Sequence, residues 1–113
     1  MEIQGLNPVL PVDDLAAAVE TWSALLGAKP TFVDGDRWAQ FDVGGRRLAL
    51  AGTDRVSDVA GVMIKVDDLA GAREAALSKG LMVSEPKQGP HEVRCVVVTP
   101  GGWPAIFYQP LKS

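Results

Sequence analysis

The segment Val12-Asp-Asp-Leu-Ala-Ala-Ala18 returns as Val66-Asp-Asp-Leu-Ala-Gly-Ala72, and the two heptapeptides stand 54 residues apart in a chain of 113. A repeat at about half the chain length marks a duplicated structural unit, so it sets what the remaining sequence has to build. Each copy opens on two aspartates, Asp13 and Asp14 or Asp67 and Asp68. Either can cap a helix by accepting a hydrogen bond from the free backbone N–H groups of the first turn. An alanine-rich stretch follows and ends at Gly27 or Gly80, residues suited to the left-handed backbone that closes a helix. Leu15, Val19, Trp22 and Leu26 form an apolar stripe on the first helix. Leu69, Ala72, Ala76 and Leu77 form a weaker one on the second.

Strands must cover those stripes. A short apolar segment precedes each helix, Leu6 to Val12 and Gly61 to Val66, and three more strand candidates follow each, separated by turn residues. In the first half these are Pro30 to Val33, Trp38 to Val43 and Arg46 to Ala51, with turns at Asp34-Gly35-Asp36 and Gly44-Gly45. In the second they are Leu81 to Ser84, Val93 to Val98 and Pro104 to Tyr108. Asp42-Val-Gly-Gly45 and Thr99-Pro-Gly-Gly102 fall at matching places, a second sign of duplication. The expected fold class is therefore α+β: a single domain over residues 1–113, made of two βαβββ modules in tandem, about 1–54 and 55–113. A ferredoxin-like chain would show two strands and then one after the first helix, not three in succession.

The totals fit one folded domain. The chain is 47% hydrophobic and 22% charged, with a formal net charge of −3. Its basic residues are scattered, which gives no reason to expect nucleic acid as a partner. No apolar run approaches a membrane span and the N-terminus does not read as a signal peptide, so the expected location is the cytoplasm. Cys95, the single cysteine, can form no internal disulfide.

The stretch Asn7-Pro-Val-Leu-Pro-Val-Asp-Asp-Leu-Ala-Ala-Ala-Val-Glu-Thr-Trp-Ser-Ala-Leu-Leu-Gly27 resembles the opening of bleomycin-resistance-type proteins. Thr99-Pro-Gly-Gly-Trp-Pro-Ala-Ile-Phe-Tyr108 is similar to the closing hairpin of the same family. The resemblance covers almost the whole chain and is to the glyoxalase, bleomycin-resistance and dioxygenase (vicinal oxygen chelate) superfamily. It implies paired βαβββ modules with helices on the outer face of a curved mixed sheet. It also implies a homodimer; Pro8 is reminiscent of members that exchange their first strand between subunits. Function does not follow from fold here, since the superfamily holds lyases, isomerases, dioxygenases and non-catalytic drug binders.

Enzymes of the superfamily typically hold a divalent cation through His, Glu or Gln on four strands. The corresponding positions are Asn7 and Gly61 on the first strand of each module, and Ala49 and Ile106 on the last. Asparagine is a weak oxygen donor and the other three cannot coordinate, so no metal and no cofactor is expected.

Strand alternation assigns the rest of the lining. With those four come Val9, Trp38, Gln40, Arg47, Met63, Lys65, His91, Val93, Cys95 and Tyr108. Leu10, Phe41, Leu48, Leu50, Val62, Ile64, Val96 and Phe107 fall to the opposite side, the expected core beneath the helices. The ligand-binding candidates are Asn7, Trp38, Gln40, Arg47, Met63, His91, Cys95, Ile106 and Tyr108. Trp38 could stack on a planar ligand or fill the core. His91 could stack, move a proton, or simply be solvated. Tyr108 could donate a hydrogen bond or sit at the rim, and Met63 could be an adaptable wall or plain core. Cys95 reads as a small apolar residue, not a nucleophile. Trp103, at a hairpin tip, suits a subunit contact or a flap over the ligand entrance.

The expected function is metal-independent binding of a bulky, partly aromatic natural product or antibiotic, sequestered without covalent chemistry. The alternative is an enzyme of the superfamily: a lyase or isomerase, either metal-free with His91 or Tyr108 as acid–base or with its metal site elsewhere.

Overall fold

In a computed structural model describing residues 2–112, the chain runs β1 (Ile3–Pro11), α1 (Leu15–Leu26), β2 (Phe32–Asp34), β3 (Trp38–Val43), β4 (Arg46–Ala51), β5 (Gly61–Val66), α2 (Leu69–Ser78), β6 (Met82–Val83), β7 (Lys87–Gln88), β8 (Glu92–Val98) and β9 (Pro104–Pro110). The fold is α+β with the expected doubled βαβββ plan, and its sheet pairings are mixed: β1 with β4 and β5 with β9 run parallel, the others antiparallel.

Residues 7–60 form one compact unit, and residues 61–112 with 2–6 form the other. The division thus falls later than the repeat alone places it. In the first unit the strand order is β2-β3-β4-β1, with α1 against one face. Phe41 and Leu50 are fully buried there with Leu15 and Ala39, and Leu10, Val19, Trp22, Leu26 and Leu48 pack around them. The α1 stripe and the first-module core therefore lie where periodicity puts them.

In the second unit the order is β5-β9-β8-β6, with β7 also on β8. Met82 and Val83 pair with Val98 and Val97, whereas Lys87 and Gln88 pair with Arg94 and Val93. From Val83 to Lys87 the edge advances four residues while its partner advances three, from Val97 to Arg94. One extra residue is thus a bulge, and it falls around Pro86, which has no N–H to give a ladder. β6 and β7 are one interrupted strand, which preserves the βαβββ plan.

The core beneath α2 is Val66, Leu69, Ala72 and Cys95, with Ile64, Val83, Val93 and Phe107. Three expectations need correction. Val62 is 39% exposed and Leu77 38% exposed, so neither is core. Val96 stands opposite Ile106, on the face away from α2.

Of each aspartate pair, the second is the cap. Asp14 Oδ1 accepts from Ala17 N–H at 3.1 Å and Asp68 Oδ1 from Gly71 N–H at 3.0 Å. The first of each pair holds its own unit instead: Asp13 pairs with Arg55, and Asp67 accepts from the Glu2 N–H. At the other end Gly27 and Gly80 both have positive φ, and Leu81 N–H to Ala76 O with Gly80 N–H to Leu77 O closes α2. Replacing Asp14 by alanine should cost about 1 kcal/mol in urea denaturation, whereas Asp13→Ala, which loses only an exposed ion pair, should cost no more than about 0.5 kcal/mol. Equal losses would contradict the cap assignment.

Candidate functional site

Each unit has a sheet face turned away from its helix, and the expected ligand residues separate cleanly by whether they reach it. In the unit of residues 7–60, Val9 is paired with Ala49, Gln40 with Ala49, and Trp38 with Ala51. Side chains on paired residues share a face, so Asn7, Val9, Trp38, Gln40, Ala49 and Ala51 stand together, opposite the Phe41 and Leu50 core. Asn7, Val9, Ala49 and Ala51 are buried, while Trp38 and Gln40 are partly accessible. The tryptophan packed against this core is Trp22 of α1, not Trp38.

Arg47 shares that parity but sits at the hairpin end. Its Nε donates to Asp42 Oδ1 at 3.0 Å, and the Thr31 hydroxyl donates to Asp42 Oδ2 at 2.6 Å. The Thr31 hydrogen bond, aided by Arg47, holds the Asp42 carboxyl below the usual carboxylate range. Arg47 is thereby engaged in closing the hairpin.

In the second unit Met63 is paired with Ile106, and Ile106 with Val96, making an apolar row across β5, β9 and β8. The next row reads Lys65, Tyr108, Arg94 and, on β7, Lys87. Met63, Ile106 and Tyr108 therefore come together as expected. Cys95 does not: it stands opposite Phe107, 1% exposed in the core beneath α2, and Val93 is there with it. The parity of β8 is the reverse of the expected one, and Arg94 and Val96 take the places given to Val93 and Cys95. His91 is exposed in the bend before β8, its carbonyl accepting from the Leu111 N–H.

Burial pushes the Cys95 thiol up, against the smaller opposing effect of Arg73. The thiol stays protonated at neutral pH and is out of reach of reagents. Ellman's reagent should therefore leave Cys95 unmodified in the folded chain and titrate it fully in denaturant. Native-state labelling at the unfolded rate would contradict the corrected parity.

No family model matches the sequence. An uncharacterised protein of Mycolicibacterium smegmatis is 34% identical over 108 residues, covering 92% of this chain and 91% of that one. The two belong to one family. Among solved structures, a Legionella pneumophila protein described as an NAD-dependent benzaldehyde dehydrogenase has a TM-score of 0.85 at 16% identity, over 95% of this chain and all of that one. A glyoxalase/bleomycin resistance protein/dioxygenase superfamily member from Vibrio splendidus has a TM-score of 0.70 at 16% identity, over 97% of this chain and all of that one. Methylmalonyl-CoA epimerase from Mycobacterium tuberculosis has a TM-score of 0.68 at 16% identity, over 97% of this chain and 90% of that one. The chain has the fold of the glyoxalase/bleomycin resistance/dioxygenase superfamily. Solved proteins with this fold include an epimerase, and a shared fold leaves the reaction open.

The metal that the superfamily implies does not suit the residues present. In the first unit the two positions are Asn7, whose Nδ2 donates to the Pro8 carbonyl at 3.0 Å, and Ala49. In the second they are Ile106 and Gly61. A Cβ at Gly61 would lie 2.6 Å from the Pro104 carbonyl oxygen, so no ligand side chain fits there without moving β9. Among the described residues no group of three His, Cys, Asp or Glu side chains gathers anywhere.

Arg94 and Val96 were missed because β8 offers little alternation: apolar residues occupy 93 and 95 to 98 around one arginine. A signal was available. The bulge-forming Pro86 and the tight Thr99 to Gly102 hairpin fix the strand's register, and counting from that turn pairs Val98 with Pro104 and hence Arg94 with Tyr108.

Proposed function

We propose that this chain is a metal-independent small-molecule-binding protein, which holds a bulky, partly aromatic natural product without changing it covalently. The observation that carries this reading is the replacement of chelating positions by Ala49, Gly61 and Ile106, with Gly61 closed to any side chain by Pro104. Faces without chelating donors that carry Trp38 and Gln40 in the first unit, and Met63 and Tyr108 in the second, are each suited to an organic ligand: flat contact area, adaptable apolar wall and a few hydrogen-bonding groups. Sequestration of an antibiotic and assembly as a homodimer in the cytoplasm belong to the same reading. No helix among the described residues is long and apolar enough to cross a membrane.

The test is the emission of Trp38, isolated by Trp22→Phe and Trp103→Phe, titrated with a panel of planar antibiotics and related natural products. Saturable quenching or a blue shift by at least one compound, unaffected by chelator, is expected. An emission that no compound alters would overturn the reading.

A further inference from the structure

We draw no further inference here: the strongest candidate, the accessible strip formed by Phe32 and Gln40, paired between β2 and β3, together with Trp38, belongs to the first-unit face for which ligand binding is already proposed.

Discussion

Phe41→Ala is expected to destabilise the unit of residues 7–60 by about 3–5 kcal/mol, the range found when a buried aromatic is truncated and the hole does not collapse. Phe41 is 1% exposed and is among the largest fully buried side chains of the chain. It stands among Leu15, Ala39 and Leu50, where Leu15 begins α1 and Leu50 is the last residue but one of β4. The ring therefore joins the helix to two strands, and backbone hydrogen bonds on β3 and β4 limit how far its neighbours can close in. Phe41→Leu keeps most of the volume and should cost less than about 1.5 kcal/mol. Denaturation followed by circular dichroism, with an unchanged slope against denaturant, measures both. A loss below 1 kcal/mol for Phe41→Ala, on the order of a surface change, would mean that Phe41 does not centre this core.

Gly61→Ala is expected to cost about 1–3 kcal/mol through overpacking. A methyl group at this position would come within 2.6 Å of the Pro104 oxygen and 2.9 Å of Pro104 Cγ. The first of these is backbone in β9, whose parallel pairing with β5 from Val62 and Ala105 onward fixes the separation. The obstruction cannot rotate away, so the strands themselves must part. Gly5→Ala makes a useful contrast: its Cβ would meet only a lysine stem at 3.4 Å, and the change should be close to neutral. Gly61→His should be at least as damaging as Gly61→Ala, and adding zinc or nickel should restore nothing. Wild-type stability in Gly61→Ala, or rescue of Gly61→His by metal, would contradict the close approach of β9.

How legible this was in the sequence differs between the units. Trp38–Val43 and Arg46–Ala51 begin and end where alternation and glycine turns place them, since they meet at Gly44-Gly45, both with positive φ, and Gly61–Val66 spans its apolar run up to the Asp67-Asp68 helix start. The face carrying Trp38 and Gln40 was readable for the same reason: Ala39 and Phe41 alternate with them, and alternation is what a half-covered strand shows. β8 lacks that signal, since an almost continuous apolar run is compatible with either parity and only its partner decides. Hence β8 reads from sequence with Val93 and Cys95 on the ligand side, whereas its pairing with β9 puts Arg94 and Val96 there and Cys95 in the core beneath α2. The residence of residues 2–6 with the second unit depends on contacts distant in sequence, which no local pattern encodes.

The most direct test of a metal-independent face is the metal content of the chain purified without chelator, combined with its melting temperature before and after EDTA. Chelating positions taken by Asn7 and Ala49 in one unit and by Gly61 and Ile106 in the other predict no stoichiometric metal and an unchanged melting temperature. One equivalent of zinc, manganese, nickel or iron per chain, whose removal lowers the melting temperature, would contradict it.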